Sequence, residues 1–232
     1  MQKMSMKLKI IPVFFICIIF SFSAKQDYLA PSTKFTLDTW KLQIPGPLEI
    51  KDLKNYASSH FYLTKEGFMH FHLDAAEKGT TPNTTTVRDE LRNLQHWKIT
   101  ENHELSAIIR IKCTITDFKV TIAQIKCTTE NDESAPPFLR LAFDGKNLYA
   151  YLKENVNSDK ATKILLKPDV GDMFVAVNIK VKDKRLIITV DDAEVLSKDV
   201  SYWPLNNHFK LGCYPQQTTG IFDVDVKKMV VN

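Results

Sequence analysis

Several features are scarce in this 232-residue sequence, and each scarcity closes a class of function. No segment keeps a helical apolar period for more than about two turns, which excludes a helical bundle or coiled coil. No internal repeat or low-complexity tract occurs, which excludes a solenoid. Charge of one sign is not in excess: 31 Lys and Arg face 27 Asp and Glu. Lys3, Lys7 and Lys9 lie in a first segment without acids, so the remainder holds 28 bases against 27 acids. That balance offers nucleic acid no global attraction, and any pull on a polyanion must come from a local cluster of bases.

Paired carboxylates facing one groove, which glycoside hydrolysis needs, are also missing. The nearest acidic run, Glu130-Asn131-Asp132-Glu133, falls in an expected loop at the wrong spacing. His70 and His72 share one face of an expected strand, but a metal site needs more ligands, so they read as surface histidines. No metal and no cofactor is expected.

Long apolar runs are confined to Ile10 through Phe22, behind the three lysines and ahead of Ser21, Ser23 and Ala24. The run is too short to span a bilayer comfortably, and its flanks fit a cleaved leader. Residues 1–24 are therefore read as a secretory signal peptide, and 25–232 as one domain. The protein is expected to be secreted (extracellular or periplasmic), free of the membrane, and monomeric. Three cysteines follow the leader, Cys113, Cys127 and Cys213, and an odd number leaves at least one thiol unpaired. Asn83 opens an N-x-T sequon that matters only in a glycosylating host.

What is present is alternation. Short strands are expected over 35–44, 61–63, 67–73, 87–97, 104–114 and 120–128. Others follow over 138–143, 148–152, 163–166, 174–182, 185–190, 194–198, 209–214 and 221–230. Residues 25–34 read as a short tether, 78–86 as a small-polar loop, and 131–137 as an acidic loop ending in proline. More than ten strands with closely spaced turns predict an all-β fold. The expected form is a β-jelly roll: a two-sheet antiparallel sandwich with a concave groove.

Three of these strands carry polar groups on one face. A period of two puts Arg88, Glu90 and Arg92 on one side, and likewise Gln124 and Lys126. In the last set, Lys210, Gly212, Tyr214 and Gln216 oppose Phe209, Leu211 and Cys213, the glycine leaving room beneath a bound chain. Glu90 between two guanidiniums makes a braced cationic platform. Laid side by side, the strands gather Arg88, Arg92, Lys126 and Lys210 with Gln124, Tyr214 and Gln216. That set suits a carboxylate-bearing polymer.

Arg88-x-Glu90-Leu91-Arg92, Gln124-Ile125-Lys126 and Phe209-Lys210-Leu211-Gly212-x-Tyr214-x-Gln216 resemble, in order, three signature segments of one family. These are the segments of the alginate lyases of polysaccharide lyase family seven, which read R-[ST]-E-L-R, Q-[IV]-H and Y-F-K-A-G-x-Y-x-Q. Trp40 to Pro45 is similar to that family's first strand. The resemblance spans about residues 35–230 and implies uronate β-elimination in a groove across the concave sheet. Its partner would be an anionic polysaccharide, alginate or a related uronan.

By resemblance, Arg88 and Gln124 neutralise the uronate carboxylate where enolate charge develops. Glu90, Arg92, Lys210 and Gln216 bind substrate, and Tyr214 protonates the departing O4 as general acid. One departure stands out: the family histidine, taken as base for guluronate-type residues, is Lys126. Three outcomes follow. Tyr214 serves as both base and acid, favouring mannuronate- or glucuronate-type linkages with syn geometry. Alternatively Lys126, its pKa depressed towards about 7–8 by burial and neighbouring cations, is base or carboxylate anchor. In the third, the protein is a uronan-binding jelly roll that does not cut.

Overall fold

A computed structural model describes residues 28–46, 48–80, 84–129, 131 and 133–232. The expected leader, Asn83 of the sequon, and the acids Glu130 and Asp132 lie outside the described residues. Among the described residues there are fifteen strands. In chain order they are β1 (Trp40–Ile44), β2 (Leu48–Ile50), β3 (Phe61–Leu63), β4 (Met69–Asp74), β5 (Asp89–Asn93), β6 (His103–Cys113), β7 (Val120–Thr128) and β8 (Ser134–Phe143). Then come β9 (Leu148–Leu152), β10 (Thr162–Lys167), β11 (Val175–Lys182), β12 (Arg185–Val190), β13 (Ala193–Asp199), β14 (Asn206–Pro215) and β15 (Ile221–Val231). They form two antiparallel sheets, β10-β9-β8-β7-β14-β5-β1-β2 and β13-β12-β11-β6-β15-β4-β3. The all-β jelly-roll sandwich read from the sequence is the fold observed.

Period-2 alternation builds the core between the sheets. Leu105, Ala107, Ile109 and Ile111 of β6 and Val175, Val177, Ile179 and Val181 of β11 all point inward and are buried. Each Leu, Ile or Val side chain of this set, fully buried, stabilises the fold by roughly 1.5–3 kcal/mol. The free thiols Cys127 and Cys213 are buried there too, and Cys113 is half-buried. Burial pushes the Cys127 thiol up to about 12, which keeps it protonated and unreactive.

Three local expectations are corrected. The residues from Tyr28 do not dangle: Leu29 bridges Leu63, Ala30 and Pro31 are buried, and the Tyr28 ring meets Tyr62 at 4.9 Å. Burying Pro31 beside β3 outweighs the polar composition that suggested a tether. Pro136 and Pro137 lie inside β8, not in a loop. Two prolines are tolerated there because β9 pairs only with Leu139–Phe143 and the β7 register shifts between Ile125 and Cys127. His70 is buried rather than superficial, paired with acids of β15.

Asp89 illustrates a cost built into the core. It alternates with Glu90, so its carboxyl points between the sheets, where it is fully buried and neither oxygen has a hydrogen-bond partner. The nearby His72 N–H is committed to the His60 carbonyl at 2.7 Å. Burial pushes the carboxyl well above its usual range. Asp89→Ser is therefore expected to raise the thermal midpoint, by about 1–3 kcal/mol of stability. A carboxyl raised on folding costs stability as pH climbs past its unfolded value of about 4, so the gain grows from there upward. A lower midpoint in the serine variant at neutral pH would refute this account.

Candidate active site

Strand register decides which polar side chains meet. Residues facing one another across strands run Tyr151, Arg140, Gln124, Lys210, Arg92 and Lys41, one each from β9, β8, β7, β14, β5 and β1. At about 4.8 Å between strands, this row crosses about 24 Å of sheet. Beside it, Lys126 pairs with His208, and Gln43 and Gly212 flank Glu90. Above these rows lies a groove of about 770 Å³.

Arg88, Arg92, Gln124, Lys126, Lys210, Tyr214 and Gln216 all line that groove. The three sequence segments thus converge on one surface of the eight-stranded sheet. Glu90 does not join them as a substrate contact, and that expectation is corrected. It is 0% exposed and lies beneath the floor. Its carboxylate accepts from Gln124 Nε2 and Lys210 Nζ, and Arg88 Nη1 stands 3.5 Å away. Burial alone would raise the Glu90 carboxyl, but Lys210 and Arg88 outweigh it and hold it below the usual range. Glu90 is the counter-ion that keeps a buried ammonium, an amide and a guanidinium in place.

Lys210 is braced on both sides, since its Nζ also donates to Gln43 Oε1 at 2.7 Å. Gln43 in turn donates to Glu49 Oε1 at 2.8 Å, and Lys41 pairs with the same carboxylate at 2.7 Å. Burial brings the Lys210 ammonium down to about 8, against the pull of Glu90. Tyr214 is positioned from above: the Arg88 guanidinium carbon sits 4.1 Å over its ring centroid. A β14 register shift between Leu211 and Tyr214 sets where the phenol emerges.

Gly212 occupies that bulge for a reason the sequence did not reveal. Its φ is +150°, and a Cβ there would meet the Asp89 carbonyl at 2.5 Å and the Glu90 Cα at 2.8 Å. The space beside the glycine is taken by β5, not left for a bound chain. Close approach of β14 to β5 is what brings Lys210 against Glu90.

Lys126 is largely buried, and its Nζ donates to the Ala135 carbonyl. Burial first, then Arg88 and Arg92, lower its pKa to about 8, with Cys127 and Glu90 opposing. Its cross-strand neighbour His208 is 2% exposed, lines the groove and has no partner for either ring nitrogen. Burial, reinforced by Arg92, Lys210, His96 and Lys126, pulls that imidazole down to about 2. It is neutral at any working pH.

Sequence reasoning missed Gln43, Arg140, Tyr151 and Lys153 as groove residues. Arg140 donates to Gln216 Oε1 at 2.8 Å, so it also fixes an expected binding residue. Alternation in β8 and β9 could have put Arg140 and Tyr151 on a polar face. Only the pairing Gln124↔Arg140↔Tyr151 places that face in this groove. Among the described residues, the His–Asp cluster with metal spacing, His70, His72 and Asp223, lies on the other sheet.

Comparison with protein families matches residues 35–231 to the family described as alginate lyase. The fold is similar to that of the family 7 alginate lyase A1-II′, with TM-score 0.80, 25% identity and coverage of 88% of this chain and 98% of that one. A variant of A1-II′ in complex with a substrate (GGMG) aligns at TM-score 0.82 and 24% identity, covering 89% and 97%. The alginate lyase AlyC3 in complex with dimannuronate aligns at TM-score 0.74 and 19% identity, covering 88% and 94%. A comparison with curated proteins gives no match.

Proposed function

The chain belongs to the alginate lyase family and is by that membership a polysaccharide lyase, and from that premise we propose that it cleaves mannuronate-rich alginate by syn β-elimination. The observation that carries this reading is the Tyr214 ring held 4.1 Å beneath the Arg88 guanidinium in the groove that Gln124 also lines.

In the proposed reaction the uronate carboxylate sits against Arg88 and Gln124. These donors balance the charge that builds when the C5 proton leaves. Tyr214, as phenolate, takes that proton, and the electron pair forms the C4–C5 double bond as the C4–O4 bond breaks. The same proton then passes from the phenol to O4, so the enzyme ends as it began. Acid and base roles for one phenol require the C5 hydrogen and O4 on one side of the ring, which is the mannuronate geometry. Lys126, with Nζ tied to a carbonyl, is assigned to anchoring a neighbouring carboxylate, beside Arg92 and Lys210. The leader expected over residues 1–24 supports action outside the cytoplasm, on a polymer too large to enter.

The test is to mix the protein with polymannuronate, polyguluronate and glucuronan and follow the ultraviolet absorbance of the unsaturated uronate product. The largest rise is expected with polymannuronate. Binding without any rise would instead assign a non-catalytic uronan-binding role, and a rise with glucuronan alone would change the substrate.

His208 supports a second reading, in which its unpartnered, neutral imidazole is the base. Its depressed proton affinity weighs against this, because a base that weak transfers protons poorly. His208→Gln is accordingly expected to keep kcat on polymannuronate within a few-fold. A loss of about 100-fold or more at unchanged KM would move the base role to His208.

A further inference from the structure

On the outer face of the seven-stranded sheet, β4 and β15 pair so that His70 faces Asp225 and His72 faces Asp223. We propose that His70 Nε2, His72 Nδ1 and the Asp223 carboxylate form a binding site for a divalent transition metal ion of the zinc class. Nothing in the elimination chemistry uses this cluster.

Two layers of side chains build the site. In the inner layer, the three ligand atoms lie within 4.8 Å of one another. His70 Nε2 is 3.2 Å and His72 Nδ1 2.7 Å from Asp223 Oδ1. A tetrahedral zinc shell with bonds of about 2.0–2.1 Å puts ligand atoms about 3.3 Å apart. The His70 edge already fits, and His72 needs to retreat by roughly half an ångström. The His72 and Asp223 side chains are 40% and 34% exposed, so an ion can enter and keep a water in its fourth position.

The outer layer is what separates this cluster from a chance pairing of histidines and acids. His70 Nδ1 lies 2.7 Å from Asp225 Oδ1, which fixes the ring so that Nε2 is the atom turned to Asp223. Arg110 clamps Asp225 through Nε at 3.1 Å and Nη2 at 2.6 Å to Oδ2. A carboxylate orienting a histidine, itself held by a further group, is the arrangement that supports metal-ligating imidazoles. Without an ion, a proton fills the gap. Burial alone would pull His70 down, but Asp223 and Asp225 outweigh it and hold it up to about 9. Two imidazoles and one carboxylate select zinc, nickel or cobalt over calcium or magnesium. Such an ion would clip β4 to β15, strands about 150 residues apart in sequence.

The test is calorimetric titration of the full chain with zinc chloride at mildly alkaline pH, with magnesium chloride as control. One equivalent of zinc is expected to bind, and to raise the thermal midpoint by about 5–10 °C at a hundredfold excess over Kd. His72→Ala and Asp223→Asn should each weaken zinc at least about tenfold while leaving the lyase rate without metal unchanged. Cobalt chloride on the unaltered protein adds a readout independent of any variant, an intense visible band from a tetrahedral site. No zinc binding, equal binding of magnesium, or zinc binding undiminished in both variants would overturn the proposal.

Discussion

Tyr214→Phe is expected to abolish turnover while leaving polymer binding nearly intact. The phenylalanine ring keeps its place under Arg88, so the stacking at 4.1 Å and the groove floor survive. What disappears is one oxygen and its proton. A single positioned acid or base contributes about 10²–10⁴-fold. If the phenol takes the C5 proton and returns it to O4, both steps fail together and the loss exceeds that of either role alone. The expected result is no detectable unsaturated product, with Kd for polymannuronate within a few-fold of the parent. Near-normal turnover in this variant would remove Tyr214 from the reaction, and weakened binding with normal kcat would make it a binding group.

Glu90→Gln is expected to produce the largest loss of stability. The change conserves shape yet leaves the Lys210 ammonium, 2% exposed, without its counter-ion. Removing one partner of a buried pair costs about 3–5 kcal/mol, because the remaining charge stays desolvated. For a domain of this size that lowers the thermal midpoint by roughly 6–20 °C. Adding Lys210→Met should restore most of the midpoint, because no unpaired charge is then left inside. Activity should not return with it, since Gln124 and Arg88 have still lost the carboxylate that places them. A single variant that melts like the parent would show that Glu90 does not hold the floor together.

These two residues mark how far the sequence could be read. Tyr214 was legible: it alternates with Lys210 and Gln216, opposite Phe209, Leu211 and Cys213, and the strand β14 has that pattern. Glu90 was legible in direction but not in depth. Its period with Arg88 and Arg92 gave the correct face, yet nothing local told a groove contact from a brace beneath the floor. That difference arises from β14 lying against β5 at Gly212, a contact over 120 residues of chain. Asp89 alternates with Glu90, and its face is the core. Its lack of any partner there follows from how His72 spends its N–H on His60.

The sequence by itself determined strand content, the inward and outward face of most strands, and the family to which the three polar segments belong. All of these follow from side-chain identity and a period of two, which are local. Tertiary structure alone decided the row that sets Arg140 and Tyr151 beside Gln124, the depth of Glu90, the placement of His208 next to Lys126, and the meeting of His70 and His72 with Asp223. Each of these depends on which strands pair and in what register. A shift of one residue in that pairing would leave the local pattern of every strand untouched and take these groups apart.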